Sequence, residues 1–427
     1  MPKKVLIVTY YWTPSGGPGV QRWLKFVKYL PDFGIEPIVY IPENPTYPII
    51  DNDLKEDFKQ ITIVKQPIKE PYRLASFLSK NKTKKISSGI VPNKRKQTFL
   101  DKVLLYIRGN FFIPDARVSW VKPSVSFLSK YIRENQIETV ITTGPPHSLH
   151  LIGLGLKEKL NIKWIADFRD PWTNIVYHKE LKLSEKSTEK HKELEHKVLN
   201  SADQIIVTSP STKAEFAQIT SQPIEVITNG YDVERIEKQP LDKKFSMAHI
   251  GSFLSERNPR ILWKALKEIL KENPDFRNDF ELKLIGIVSQ EVADTIKEFK
   301  LDSFVRNLGY LSHKESVIEQ RKSQVLLLIE SDSEETKMIL PGKLYEYMAS
   351  HRPILAIANE NSDIKEIITK TNTGFFCDYS EKEKVKQTIL TYYNLYKENN
   401  LKPSPIGLQF FARKKLTEKL SELIRSC

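Results

Sequence analysis

The chain has 427 residues, 40% of them apolar and 28% charged, with 16 Gly and 25 Pro in no repeating period. That profile excludes collagen-like and disordered chains, and at ~150 residues per domain it predicts two or three domains with a large buried core. Lys and Arg number 66 against 53 Asp and Glu, a net charge of +13, which favours anionic partners: phosphates, nucleic acid or an acidic membrane surface.

The chain opens with Met1-Pro2-Lys3-Lys4 and an apolar run to Tyr11 that stops at Trp12-Thr13-Pro14-Ser15-Gly16-Gly17. With no small-residue cleavage site, this run is expected as a first strand rather than a signal peptide. Short apolar stretches then alternate with longer amphipathic ones, the pattern of parallel βαβ architecture. Strands are predicted at residues 5–10, 37–41, 62–65, 139–142, 163–166, 204–207 and 225–227, and in a second series at 247–250, 281–287, 305–308, 325–329, 354–357 and 374–377. Helices are predicted at 20–30, 183–199, 260–271 and 343–349, with a polar hinge at 237–244. The expected architecture is α/β: a first Rossmann-like domain over residues 1–240, a second over 241–405, and a C-terminal helix at 406–427 packing back on the first. No segment reaches the ~18 to 20 uninterrupted apolar residues of a membrane-spanning helix. The two cysteines, Cys377 and Cys427, are too far apart in sequence for a disulfide framework or metal motif, so a reducing cytoplasm is the expected compartment.

One region interrupts the first series. Residues 71–100 contain no acidic residue, yet carry Arg73, Lys80, Lys82, Lys84, Lys85, Lys94, Arg95 and Lys96, and the aromatic run Phe99 to Pro114 follows. It reads as a basic insertion at about 66–120, either simply solvated or seated peripherally on the anionic inner face of a membrane. No recognition-helix, zinc or RNP-type signature accompanies it, so nucleic acid is not an expected partner.

Four constellations could carry chemistry. Gly16-Gly17-Pro18-Gly19 joins the first strand to the first helix; glycines there allow close backbone approach to an anion at a helix N-terminus, though an ordinary tight turn is the plain alternative. Thr142-Thr143-Gly144-Pro145-Pro146-His147-Ser148 leaves the carboxyl end of a strand, where ligands of open α/β sheets bind. His147 there could position a hydroxyl or take a proton, or could merely pack, as His150 is expected to do. Asp167-Phe168-Arg169-Asp170-Pro171-Trp172 leaves the next strand. It reads either as an Arg–Asp structural pair or as a polar cluster orienting sugar hydroxyls, with the aromatics as an apolar platform. The fourth, Pro341-Gly342-Lys343-Leu344-Tyr345-Glu346-Tyr347-Met348-Ala349, opens a short helix. Gly342 leaves helix amides bare for a phosphate and Lys343 adds a cation. Glu346, one turn on, could accept from ribose hydroxyls, or the two could form a surface i,i+3 pair worth only ~0.2–0.5 kcal/mol.

This last stretch resembles the donor-binding helix of GT-B glycosyltransferases of the large retaining class called family 4 or group 1. Other pieces are similar in the family's order: the Gly16-Gly17 loop, Thr228-Asn229-Gly230-Tyr231-Asp232, His249-Ile250-Gly251-Ser252-Phe253 and Gly309-Tyr310-Leu311-Ser312-His313. The Thr-Thr-Gly-Pro-Pro-His-Ser and Asp-Phe-Arg-Asp-Pro-Trp stretches resemble a bacterial branch acting in surface-polysaccharide assembly, such as lipopolysaccharide or capsule. The resemblance implies two Rossmann-like domains with parallel sheets facing a central cleft. It further implies a nucleotide-diphospho-sugar donor (UDP-, GDP- or ADP-linked) bound mainly by the second domain, and a glycan or lipid-linked acceptor bound mainly by the first. Transfer would retain the anomeric configuration without metal or cofactor, the leaving phosphate receiving the acceptor's proton on the same face.

In that reading Gly16, Gly17, Gly342 and Lys343 hold the diphosphate, with Pro341 and Leu344 flanking. Glu346 takes the ribose, Tyr310 and Leu311 lie beside the base, and Arg257 with Arg260 neutralise the leaving group. His147, Asp167, Arg169, Asp170 and Trp172 stand on the acceptor side. One departure is plain: the family's Glu eight residues before the helix Glu is Met338 here, with Glu334 and Glu335 nearby. No carboxylate pair supports a glycosidase, and no Asp-x-Asp accompanies the donor helix, Asp51-Asn52-Asp53 falling in a loop after the second strand. Two other readings stay open: a sugar-nucleotide epimerase of the same fold, which needs acid/base residues deep in its site, and a non-catalytic basic protein binding nucleic acid or a membrane surface.

Overall fold

Strands that are buried on both faces need apolar residues at every position rather than at alternate ones, and this sequence supplies such runs twice over. The computed structural model describes residues 2–48, 50–51, 61–70, 99–175, 178, 181–232 and 239–427. The chain divides into two units, Met1–Thr228 with Arg413–Cys427, and Asn229–Ala412. The basic tract with Lys84, Lys85, Lys94, Arg95 and Lys96 lies outside the described residues.

Among the described residues the first unit runs β1 (Lys3–Val8), α1 (Pro18–Tyr29), β2 (Ile35–Pro42), β3 (Thr62–Gln66), α2 (Phe99–Phe111), α3 (Val121–Asn135), β4 (Thr139–Gly144), α4 (Ser148–Lys159), β5 (Lys163–Phe168), α5 (Glu185–Ser201), β6 (Gln204–Val207), α6 (Pro210–Phe216) and β7 (Ile224–Val226). Its seven strands lie in the order β3-β2-β1-β4-β5-β6-β7, all parallel. The second runs β8 (Phe245–Ile250), α7 (Arg260–Glu272), α8 (Pro274–Asp279), β9 (Phe280–Ile285), α9 (Gln290–Glu298), β10 (Val305–Gly309), α10 (His313–Lys322), β11 (Val325–Ile329), α11 (Gly342–Ala349), β12 (Ile354–Ile357), α12 (Asp363–Thr371), β13 (Gly374–Cys377) and α13 (Lys382–Lys397). Its six strands are ordered β10-β9-β8-β11-β12-β13, again all parallel. The chain then returns to the first unit with α14 (Arg413–Ser426).

The alternation of side chains along each strand feeds two cores per sheet. Val5 and Ile7 of β1 pack with Trp23, Leu24 and Val27 of α1 and with Leu416, Leu420 and Ile424 of α14. Leu6 and Val8 face the other way, onto Trp120, Leu128 and Ile152. In the second unit Leu327 and Ile329 join one core and Leu326 and Leu328 the other. Within β9, the ammonium of fully buried Lys283 sits 2.6 Å from Asp242 and 2.8 Å from Glu319, which neutralises a charge that the sheet interior would otherwise reject.

A third apolar cluster in the first unit encloses imidazoles. The Thr142 hydroxyl accepts from Trp164 Nε1 at 2.9 Å and meets His150 Nδ1 at 2.9 Å, and Trp172 Nε1 donates to His191 Nδ1 at 3.2 Å. His178 lies edge-on to His191 with ring centroids 4.5 Å apart. Burial pushes these rings down to about 3 for His150, about 3 for His178 and about 4 for His191, against ~6.5 in an unfolded chain. The unfolded state therefore takes up protons first as pH falls. Their contribution to stability is complete above about pH 6.5 and is lost as pH drops towards 4 and 3. Melting temperature should fall steadily below about pH 6.5, and His150→Asn should make the slope shallower. A profile flat from neutrality to about pH 4.5 would show that the rings are not held neutral.

Candidate active site

Helix α11 begins on Pro341 with no side-chain cap and no acidic residue in its first turn, so its leading amides keep their partial positive charge for a ligand. Lys343, in that turn, has a side chain only 15% exposed, and its Nζ stands 3.4 Å from Glu330 Oε1. It has no well-aligned hydrogen-bond partner among the described residues. Glu330, the residue after β11, is 5% exposed and its Oε2 meets Arg257 Nη2 at 2.9 Å. Arg257 itself ends a 3-10 turn, Ser255–Arg257, that follows β8. His249, on β8, is buried, its Nδ1 lies 3.2 Å from the Leu327 carbonyl, and its Nε2 has no partner. Burial, with Lys343 next in effect, holds that imidazole neutral, well below its ordinary range. For Lys343, burial lowers proton affinity, Glu330 raises it and Arg257 lowers it, leaving it below an ordinary lysine.

This loop cluster is possible because the backbone is drawn in tightly. A Cβ on Gly286 would come within 2.5 Å of the Gly251 carbonyl oxygen, and Gly286 has φ of 112°, so the turns after β8 and β9 can approach only with glycine there. The Tyr347 hydroxyl accepts from the Ile250 amide at 2.9 Å, which fixes α11 against the carboxyl end of β8.

The other predicted donor residues are distributed as follows. Glu346 is half-buried on α11, with Gln320 Nε2 at a long 3.4 Å from its Oε2. Tyr310 is 85% exposed, while Leu311 packs on the second unit's core beside it. The Leu344 side chain is fully buried and its amide donates to the Pro341 carbonyl at 3.0 Å, so it closes the first helical turn from within. Arg260 is not brought to this cluster: it pairs with Glu298 of α9, its guanidinium lying over the Phe299 ring. Met338 is buried and Glu334 pairs with Lys337 at 3.0 Å, exposed to solvent.

In the first unit, Gly17 caps α1 with φ of 112° and open space where a Cβ would stand, a conformation glycine adopts without strain. Gly16 precedes it, and no side chain caps the helix. The acceptor cluster needs correction. Asp167 is fully buried: Oδ1 accepts from Arg22 Nη2 at 3.0 Å, and Oδ2 from Trp23 Nε1 at 2.9 Å and Thr143 Oγ1 at 2.7 Å. It ties β5 to α1 and β4, and both its oxygens are occupied. Trp172 is likewise fully buried, so it is not an open platform; its ring stacks on His147 with centroids 4.8 Å apart. Arg169 donates to the Gly144 carbonyl at 3.2 Å and to the Pro145 carbonyl. It braces the loop that carries His147. Asp170 is half-buried beside it, its carboxyl raised by burial. His147 is half-buried with Nδ1 unpartnered, and burial among His150, His178, Arg169 and His191 keeps it neutral.

Glu330 and His249 are site residues that spacing arguments passed over. The legible signal is local: Val325-Leu326-Leu327-Leu328-Ile329 is a fully buried strand that ends directly on Glu330, the first of several acidic residues, and strand carboxyl ends are where such sheets place ligands.

Two family models match the sequence: Glycosyltransferase Family 4 over residues 89–235 and Glycosyl transferases group 1 over residues 244–394. No curated protein matches it. Among solved structures, the chain is similar to a glycosyltransferase from Rickettsia africae (14% identity, 100% of this chain and 98% of that one, TM-score 0.63). It is also similar to sucrose-phosphate synthase from Thermosynechococcus elongatus (13% identity, 99% and 98%, TM-score 0.62). A third likeness is to Anabaena HepE in complex with UDP-glucose (13% identity, 99% and 100%, TM-score 0.59). With a parallel sheet in each unit, a cation-bearing helix mouth and both family models in order along the sequence, the chain belongs to the family 4/group 1 glycosyltransferases.

Proposed function

We propose that the protein transfers a sugar from a nucleotide-diphospho-sugar to a glycan or lipid-linked acceptor in cell-surface polysaccharide synthesis, with retention at the anomeric carbon. The observation that carries this reading is the buried Lys343 ammonium at the uncapped mouth of α11, met at 3.4 Å by the same Glu330 carboxylate that pairs with Arg257. A leaving diphosphate gains negative charge as the sugar's C1–O bond breaks, and fixed cations with helix amides stabilise that charge selectively in the transition state. In this reading the acceptor oxygen bonds to C1 on the same face, and the acceptor's proton passes to the departing phosphate. The chemistry is assigned to Lys343, Arg257 and the helix amides, without a metal. Glu346 receives the ribose hydroxyls, and neutral His147 positions a hydroxyl on the acceptor side.

A thermal-shift panel of UDP-, GDP- and ADP-sugars tests the donor site, UDP first because HepE was solved with UDP-glucose. A ligand at 100 times its dissociation constant should stabilise by ~2.7 kcal/mol. No shift with any nucleotide refutes the reading and favours the non-catalytic alternative; interconversion of the sugar nucleotide without transfer to any acceptor favours the epimerase.

Lys343→Ala should cost ~2 to 4 kcal/mol in kcat/KM, roughly 30- to 1,000-fold, with the fold retained because Glu330 keeps Arg257. Glu346→Gln should instead weaken nucleotide affinity while leaving turnover at saturation closer to that of the parent. Donor affinity, single-turnover rate and melting temperature measured on each variant separate these outcomes. Early melting with normal turnover in the folded fraction would make both residues structural.

We further propose a peripheral seat on an anionic inner membrane face. No helix among the described residues is long and apolar enough to cross a membrane. Helix α2, however, presents Tyr106, Ile107 and Phe111 at 47%, 39% and 73% exposure, directly after the acid-free basic tract in sequence. Each basic residue near such a surface contributes ~1 kcal/mol, screened by salt. In liposome flotation the parent should bind phosphatidylserine vesicles at low salt, and replacing Lys84, Lys85, Lys94, Arg95 and Lys96 with Gln should abolish this. Equal flotation of both proteins, or none of the parent, defeats the membrane seat and leaves the transferase reading standing.

A further inference from the structure

A carboxylate inside a diphosphate site is at first sight the wrong charge, since it repels the ligand. Glu330 is nonetheless built in firmly. Its amide donates to the Ile357 carbonyl at 2.9 Å and its carbonyl accepts from the Tyr379 hydroxyl at 2.6 Å, so the side chain leaves a backbone held on both sides. One oxygen meets Arg257 at 2.9 Å and the other faces Lys343 at 3.4 Å. The charged groups acting on Lys343 are Glu330 from the end of β11 and Arg257 from the turn after β8, while Lys343 in turn helps to hold His249 of β8 neutral. Of these, Glu330 is the anion. Burial and the neighbouring guanidinium both work against the ammonium form of Lys343.

We propose that Glu330 is a positioning residue of the donor site, supplying the counter-charge that lets Arg257 and Lys343 share one buried seat as cations before the diphosphate arrives. This rests on the donor-site reading given above. The carboxylate accepts some repulsion of the ligand in exchange for keeping Lys343 charged and both cations aimed. Without it, a buried ammonium and a partly exposed guanidinium would sit side by side with no anion between them, and the lysine, whose proton is the more easily lost, would give way first.

The sign of the effect follows. Removing the carboxylate while keeping its shape lets Lys343 lose its proton at lower pH, so anion binding weakens as pH rises. Removing the guanidinium acts oppositely, because Arg257 lowers Lys343 while Glu330 remains. The experiment is calorimetric titration of the full chain with UDP, or with whichever of GDP and ADP gives the largest thermal shift. It is run from about pH 7 to about pH 9 on the parent, Glu330→Gln, Glu330→Asp and Arg257→Gln. Glu330→Gln should bind roughly tenfold more weakly at the alkaline end than at the neutral end, with the parent and Glu330→Asp changing less. Arg257→Gln should be weaker throughout, yet its alkaline loss should begin at higher pH than the parent's.

Parallel pH profiles for parent and Glu330→Gln overturn the proposal. So does a uniform, pH-independent weakening of Glu330→Gln with a lower melting temperature, which marks a residue that merely holds the fold. If Glu330→Gln does not fold, the direction in which Arg257→Gln moves decides: an alkaline limb unmoved or shifted to lower pH refutes it. Should the parent bind none of the three nucleotides, the donor-site reading fails and takes this inference with it. Binding by the parent with unaltered profiles in the variants sinks this inference alone.

Discussion

A buried ammonium needs a carboxylate, and the arrangement at the mouth of α11 is organised by that requirement. Lys343 is largely covered, Glu330 more so, and Arg257 completes the group from a different loop. One negative charge between two positive ones leaves an excess of one cation at a helix terminus that itself carries partial positive charge. The balance is what an anion of more than one charge would complete. The tight approach of Gly251 and Gly286 and the Tyr347 bridge to β8 hold the loops that make this balance.

Each unit holds saturated and unmatched buried polar groups side by side. In the first, Asp167 is saturated by three donors and Arg169 is turned onto carbonyls of the loop after β4; these charges brace the strand ends. In the second, Lys343 Nζ meets only Glu330, at 3.4 Å, and His249 Nε2 is unmatched, as His147 Nδ1 is in the first. A saturated network rigidifies a scaffold, whereas an unsatisfied buried group is retained where a ligand will complete it.

Much of the fold was legible in the sequence because parallel strands declare themselves. The strand β11 is an unbroken apolar run, and β4 has every residue buried although four of its six are Thr or Gly. The Lys343 and Glu346 spacing was legible because helix geometry is local. The Asp167 and Trp172 assignments failed for the opposite reason. Arg22 and Trp23, which saturate Asp167, are separated from it by 145 and 144 positions, and no pattern around residue 167 announces them. The aromatic ring of Trp172 was expected to face a ligand and is instead closed in by His147 and His191. Glu330 escaped notice because it is one of four acidic residues between 330 and 335 and nothing local singles it out; its partners come from β8's turn and from α11, and only the assembled sheet brings them together.

Helix α14 has a consequence for how the protein is made. The face of β1 and α1 formed by Val5, Ile7, Trp23 and Leu24 is sealed by Leu416, Leu420 and Ile424, which are translated after the whole of Asn229–Ala412. At ~5 to 20 residues per second, that intervening stretch occupies the ribosome for roughly 10 to 40 s. During this interval the first unit presents an uncovered apolar face, while the second, continuous in sequence, has all it needs to close on itself. The unit begun first is thus the one finished last. A nascent chain of this design depends on holdase chaperones most heavily while its second half is still being synthesised.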